Sequence, residues 1–473
     1  MATTLPLELR RGSGTPLHVQ LAGQVRTLVS GGALPAGTRL PSTRALAAQL
    51  AVARGVVESG YDQLLAEGWL VARHGSGTYV AEVGALPAGG GGRPSPGSPT
   101  AASPPLRLGS GSPWVDPRHQ ASWRRAWREV SAAPVPADYP DPAGLPELRD
   151  QIAAYVARTR GVPCTGDEVL VTSGTTHGMA LVLATLARGT VAVEDPGYRA
   201  AVATAVQAGW QVLDVPVDEQ GLVVERLAAA PDAVRAVYAT PAHQHPLGVT
   251  MSAARRVALL EEARRRDALV LEDDYDSEFR YDVAPLPALT ALDRTRAVYL
   301  GTASKALSPA LRLGWLVAEA GLVARIARQR AARHDHPPWP AQRALLSLMR
   351  EGHLDKLVRS ARRIYAERAE LLVGRLSHYG VVSTPVAGMY LALLTPPAVA
   401  RAVHEDCLRA GLDVPLLEEL TRTDERAGLL VGFGGVSDAQ LAWALDELER
   451  SLARHTKRPD RSGCQVTGRG TRA

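Results

Sequence analysis

Apolar residues fall at helical spacing over residues 17–29, where Leu17, Leu21, Val25 and Leu28 share one face. The run from Gly31 to Gly37 ends that helix. Ser42, a favourable N-cap, predicts a second helix to Leu50. After the short turn Ala51-Val52-Ala53 a third runs from Arg54 to about Glu67. Residues 69–73 and 78–80 then read as two strands around a hairpin tip, His74-Gly75-Ser76-Gly77. Two short helices joined by a tight turn and followed by a hairpin are a winged helix-turn-helix pattern. Residues 81–106 lose apolar periodicity and become rich in Gly, Pro, Ser and Ala, which predicts a linker. Beyond it the pattern changes again. Short apolar runs at 168–172, 190–193, 268–271 and 297–300 alternate with Ala- and Arg-rich helical stretches. That alternation predicts an α/β segment with a mostly parallel central sheet. The expected organisation is a winged helix-turn-helix domain over 1–80, a linker over 81–106, a large domain over 107–453 and a disordered basic tail over 454–473.

Composition narrows the picture. The 473 residues suit two or three domains. No apolar run approaches the roughly 20 residues of a membrane span, so no membrane partner is expected. The three cysteines, Cys164, Cys407 and Cys464, have neither metal-ligand spacing nor a disulfide pattern, which fits a reducing cytoplasm. Net charge is a modest +5, so the placement of charge matters more than its sum. Lysine is scarce, with three against fifty arginines. One of the three, Lys305, stands in the segment Gly301-Thr302-Ala303-Ser304-Lys305. Retaining a primary amine there suggests imine chemistry, which a guanidinium cannot perform.

In the first eighty residues seven arginines face four acids, and Arg44, Arg54 and Arg73 gather around the turn and wing. Arginines so placed can reach phosphate or the O6/N7 edge of guanine, or can simply be solvated. The stretch GTRLPSTRALAAQLAVARGVVESGYDQLLAEGWLVARHGSGTYV resembles the DNA-binding domain of the GntR superfamily. The resemblance implies that Arg44, Arg54 and the wing pair His74-Gly75 contact an operator in double-stranded DNA. Ala53 and Gly55 depart from the hydroxyl residues usual in that family, which removes a helix cap and a phosphate contact.

In the large segment, Ser173-Gly174-Thr175 follows a strand and opens a helix, an arrangement suited to phosphate. Tyr198 follows a strand-ending turn. Glu272-Asp273-Asp274-Tyr275-Asp276 ends another strand in carboxylates, without the His or Cys partners that would argue for a metal. Thr302 and Arg312 flank Lys305. Phosphate site, aromatic ring, carboxylate, lysine and second cation are together what pyridoxal 5′-phosphate (PLP) requires. Their order is similar to that of fold-type I aminotransferases. The resemblance implies an aldimine at Lys305, a pyridinium partner in Asp273, a ring-hydroxyl contact from Tyr275 and stacking by Tyr198. It also implies a phosphate cradle from Ser173, Gly174, Thr175, Thr302 and Arg312. Tyr139 resembles the tyrosine that reaches the partner's cofactor in dimers of this fold.

A GntR-type winged helix joined to such a domain resembles the MocR subfamily of transcription regulators. Two further segments, Asp273 to Tyr281 and Thr240 to Gly248, look like its signatures. The resemblance implies a homodimeric, DNA-binding, PLP-responsive regulator rather than an enzyme. Its effector would be PLP or a PLP–amino acid adduct, with control of vitamin B6 synthesis the first expectation. The alternative is a PLP-dependent aminotransferase with an appended DNA-binding domain. Two departures bear on that choice. His245 stands where aminotransferases place an asparagine at the cofactor ring. The stretch Leu429-Leu430-Val431-Gly432-Phe433 has leucine where they carry the arginine that pairs with a substrate carboxylate, and losing that bidentate clamp weakens amino-acid recognition.

Overall fold

The computed structural model describes residues 5–73, 76–82, 104–115, 120–281 and 286–456. It divides into two compact units, residues 1–102 and 103–473. The small unit contains α1 (Leu17–Ser30), α2 (Thr43–Gln49) and α3 (Arg54–Ala66), followed by an antiparallel hairpin of β1 (Leu70–Arg73) and β2 (Gly77–Val80). The Ser42 hydroxyl accepts from the Ala45 N–H and starts α2, whereas α3 begins at Ala53 without a side-chain cap. Between them Ala51 takes a left-handed φ of 51° that closes the turn. Gly60 lets α3 approach α1, because a Cβ there would stand 2.7 Å from Leu21 Cδ2.

The core of this unit, built on Leu21, Val25, Leu46, Val57 and Leu64, also takes in Leu5 and Leu7 from the N-terminal arm. Two glutamines of α1 hold that arm as a neighbouring strand would. Gln24 accepts from the Glu8 N–H and donates to the Glu8 carbonyl, and Gln20 does the same at Arg10. Arg11 then donates to the Ala51 carbonyl at 2.9 Å, which ties the arm to the turn. The sequence reading gave this arm no role.

The large unit opens with β3 (Leu106–Arg107), α4 (Gln120–Ala132) and α5 (Pro146–Arg160). Next come β4 (Val169–Thr172), α6 (Thr175–Thr185), β5 (Thr190–Asp195), α7 (Arg199–Gln207), β6 (Gln211–Asp218), β7 (Gly221–Leu222), α8 (Val224–Ala228) and β8 (Val234–Ala239). The chain continues through α9 (Ala253–Arg266), β9 (Leu269–Asp274), α10 (Leu289–Leu292), β10 (Ala297–Thr302) and β11 (Gly314–Val317). Eight of these strands form one sheet in the order β4-β11-β10-β9-β8-β5-β6-β7. The five from β10 to β6 run parallel, while β11 and β7 are antiparallel to their neighbours. In β4, β9 and β10 the side chains are buried on both faces, as a sheet covered by helices requires.

After α11 (Ala320–Ala332), α12 (Trp339–Arg350) and α13 (His353–Leu376), a smaller layer forms from β12 (Val381–Val382), β13 (Tyr390–Leu394), α14 (Pro397–Arg409), β14 (Leu412–Asp413), β15 (Gly428–Gly432) and α15 (Asp438–His455).

Two expected boundaries move. Leu106, expected in the linker, pairs with Leu412 across β3 and β14. Arg454 and His455, expected in the tail, complete α15 because Asp406 draws both, at 3.2 and 3.1 Å. His74, Gly75, most of the expected linker and residues 457–473 lie outside the described residues.

Candidate functional site

Strand alternation sorts the carboxylates of β9. Glu272 and Asp274 point to one side of the sheet. There Asp274 meets Arg160 at 2.6 Å and accepts from the Tyr299 hydroxyl at 2.7 Å, and Glu272 accepts from the Leu289 N–H. Asp273 points to the other side, into a cavity of about 200 Å³ at the carboxyl ends of β9 and β10. This is where ligands bind in open α/β sheets.

The cavity gathers residues from several segments. Gly174, Thr175 and Thr176 bring the N-terminus of α6, with its unpaired backbone N–H groups. Thr302, Ser304 and Lys305 follow β10. Arg312 enters from a left-handed backbone position, φ 52°, which costs a non-glycine residue about 1–2 kcal/mol. Strain held at a cavity wall is a mark of a functional position. Tyr198, His245 and Tyr275 form an aromatic wall, with His245 edge-on to both tyrosines.

Electrostatics follow from burial. The Lys305 amine is held below the ordinary lysine value because burial disfavours its charge, although Asp276 and Asp273 oppose the shift. Burial pushes the Asp273 carboxyl up to about 7, against hydrogen bonds from Tyr238 and Thr175. One oxygen of Asp273 accepts from the Tyr238 hydroxyl, whereas Oδ1 is buried with no partner among the described residues. His245 is driven down to about 3 by burial and by the charge of Lys305, so its ring is neutral. Tyr238, Tyr275 and Tyr390 are raised by burial and keep their protons.

Eleven cofactor-site residues named from sequence are described here, and most converge. Lys305, Asp273, Tyr275, Tyr198, Gly174, Thr175, Thr302, Arg312 and His245 all line the cavity. Ser173 is not among its lining residues; its backbone N–H donates to His177 Nδ1 at 3.0 Å. Tyr139 also lies outside the lining. It is 69 % exposed and stacks on His336 at 5.1 Å. The sequence reading gave no cofactor role to Thr176, Tyr238, Thr240, Pro309 or the segment Ser110-Gly111. Thr176 was legible as the next residue of the helix start. Tyr238 and Gly111 were not, since only the sheet order and the path after β3 bring them in.

Arg312 is the single arginine among the described lining residues. Leu429 and Leu430 are buried in β15, Arg426 is bound to Asp424 and the Val217 carbonyl, and Arg199 to the Glu419 carbonyl. No group of three metal-ligating side chains occurs among the described residues.

In the small unit Arg44, Arg54 and Arg73 are all exposed. Arg54 pairs with Glu58 at 2.7 Å across one helical turn, and Arg73 lies 4.7 Å over the Tyr79 ring.

The profile of the gntR family of bacterial regulatory proteins matches residues 17–80, and that of class I and II aminotransferases matches residues 103–422. The HTH-type pyridoxine biosynthesis transcriptional regulator PdxR of Corynebacterium glutamicum is 34 % identical over 96 % of this chain and all of its own length. The chain belongs to the MocR subfamily of GntR-type transcription regulators. The probable rhizopine catabolism regulatory protein MocR of Rhizobium meliloti is 32 % identical over 94 % of this chain and 96 % of that one. Among solved structures, a kynurenine aminotransferase of Pyrococcus horikoshii superposes with a TM-score of 0.68 at 25 % identity, over 75 % of this chain and 92 % of that one. Membership of this subfamily accounts for a cavity of aminotransferase type in a chain that begins with a helix-turn-helix, and it favours regulation over turnover.

Proposed function

We propose that this regulator binds operator DNA through its small unit and holds PLP at Lys305 in its large unit as the signal that alters DNA binding. The observation that carries the reading is Asp273. Asp273 lines the cavity and its Oδ1 is buried without a partner among the described residues, which is costly unless something pairs with the carboxylate. A protonated pyridine nitrogen is such a partner. The remaining residues fit the same group. The Lys305 amine is suited to a covalent link, and the N-terminus of α6 with Thr302 and Arg312 is suited to a phosphate. Tyr198 and Tyr275 are placed for the ring. When bound, PLP supplies an electron-withdrawing ring conjugated to the lysine.

Signalling rather than transamination is supported by the scarcity of cations in the cavity. With Arg312 assigned to phosphate, no second arginine among the described residues lines the wall to clamp an amino-acid carboxylate. PLP itself is therefore the favoured effector, and control of vitamin B6 synthesis the favoured output, in line with the name of the Corynebacterium relative. Arg44 and Arg54 are the operator contacts, with Arg73 in the wing. The exposed Tyr139 is available to the partner subunit of a homodimer, and the protein operates in the cytoplasm. Among the described residues no helix is long and apolar enough to cross a membrane.

Absorbance of the purified protein with PLP, beside Lys305→Ala, tests the cofactor. A visible band that depends on Lys305 is expected, and an unchanged band in the variant overturns the assignment. Operator binding titrated with PLP tests the signal. Unchanged affinity and footprint would refute it.

A further inference from the structure

Behind the aromatic wall runs a file of buried hydrogen-bonding groups. The Tyr390 hydroxyl lies 2.8 Å from the Tyr275 hydroxyl and 3.2 Å from His245 Nδ1. Tyr390 comes from β13, in the smaller layer, and is only 2 % exposed. The Tyr275 hydroxyl donates to the His243 carbonyl at 3.1 Å, a bond it would exchange for one to a ring oxygen. His243 Nδ1 is committed to Asp276 at 2.9 Å, so it offers Tyr275 no lone pair.

Proton counting then fixes the directions. An O···O contact of 2.8 Å is hydrogen-bonded, so one of the two tyrosine protons lies in it. If Tyr275 gives its proton to a ring oxygen in the cavity, that proton must be the one on Tyr390. Tyr390 then has only its lone pairs left for His245, whose Nδ1 must carry the hydrogen. The neutral imidazole consequently presents a bare Nε2, which has no partner among the described residues.

We propose that Tyr390 is a positioning residue for the cofactor ring. It donates to Tyr275, leaving the Tyr275 proton free for the ring hydroxyl oxygen, and it holds His245 in the Nδ1–H form with Nε2 as an acceptor toward the cavity. Every proton in the file is used once: His245 Nδ1–H to Tyr390, Tyr390 to Tyr275, Tyr275 to the ring oxygen. Hydrogen bonds aligned head to tail polarise one another, so Tyr275 becomes a stronger donor than it would be alone. The proposal rests on the PLP reading above. It assigns to Tyr390 a role that neither the sequence motifs nor the cavity lining reveals, since Tyr390 lies behind the wall.

The test is the pH dependence of the absorbance of the full-length protein loaded with PLP, in wild type, Tyr390→Phe, Tyr275→Phe and the double variant. Other groups facing the ring, namely Asp273, Lys305, Asp276 and Tyr198, are the same in all four. Weaker donation to the ring oxygen leaves more negative charge beside the lysine-linked nitrogen, which then binds its proton more tightly. The titration midpoint of Tyr390→Phe is expected to rise by about 0.5 pH unit, a threefold change, as fits partial loss of one hydrogen bond. The same substitution is expected to have no effect once Tyr275 is Phe, because Tyr390 acts through it. Persistence of the Lys305-dependent band in each variant shows that its site is intact. An unmoved midpoint in Tyr390→Phe, or an equal shift in the Tyr275→Phe background, overturns the proposal alone. A wild-type protein without any Lys305-dependent band overturns the cofactor reading and this proposal together.

Discussion

The Lys305 amine donates to the backbone carbonyl of Gly111 at 2.7 Å. Gly111 lies only four residues after β3, on the stretch by which the chain enters the large unit. A Cβ at Gly111 would stand 3.0 Å from Lys305 Nζ, with no other atom within 4 Å. The segment is wedged from its other side by glycines. A Cβ on Gly432 would meet the Gly109 carbonyl, and one on Gly434 or Gly435 would meet Ser112. Chain entry and the Lys305 amine are therefore in direct contact.

Gly111→Ala should displace the amine without unfolding the protein, because the far end of a lysine yields more readily than a backbone. Misplacement costing about 1–2 kcal/mol corresponds to roughly tenfold weaker PLP binding. A PLP titration followed by absorbance measures this, beside a thermal melt that should match the wild type.

The cofactor-free protein should lose stability as pH rises from about 5 to 9. Burial raises Asp273, Glu194 and Glu272 to about 7 and Glu278 to about 8. Unfolded, the same carboxyls titrate near 4. Between those values the folded state binds more protons, so each step up in pH favours unfolding, and the cost is complete only above about 9. Urea midpoints across this range check the sign. Asp273→Asn should flatten the slope, since it removes one of the four groups.

Arg160 and Asp274 form a fully buried pair behind the sheet, 2.6 Å apart. Arg160→Met leaves the buried Asp274 without the guanidinium that pairs with it. The expected loss is about 3–5 kcal/mol, read from chemical denaturation. Substituting both residues with apolar side chains should recover much of that loss.

Arg54 and Glu58 are exposed, and such a helical pair is worth only about 0.3–0.5 kcal/mol. A DNA phosphate can therefore draw Arg54 away at little cost. Arg54→Ala should weaken operator binding and reduce the slope of log affinity against log salt by about 1. Anisotropy titrations at several salt concentrations measure both.

Much of the fold was legible because its signals are local. The helix spacings of the small unit, Ser42 as a cap and the apolar runs of β4, β5, β9 and β10 each lie within a dozen residues. Strand ends were less legible. Both β9 and β10 run on past their apolar runs, through Asp273-Asp274 and Gly301-Thr302, because buried polar partners replace apolar packing there. The N-terminal arm was illegible for a different reason. Its order depends on two glutamines that present side-chain amides as a strand edge.

The sequence by itself determined the two-part organisation, the residue types at Lys305 and Asp273, and the absence of an arginine from Leu429-Leu430. Those follow from residue type and spacing alone. Which carboxylate of Glu272-Asp273-Asp274 enters the cavity was decided by strand alternation within a particular sheet. That Gly111 touches Lys305, and that Tyr390 backs Tyr275, was decided by packing between segments more than a hundred residues apart. A local pattern encodes what a residue can do. The order of strands and the path of the chain decide which distant residue it does it with.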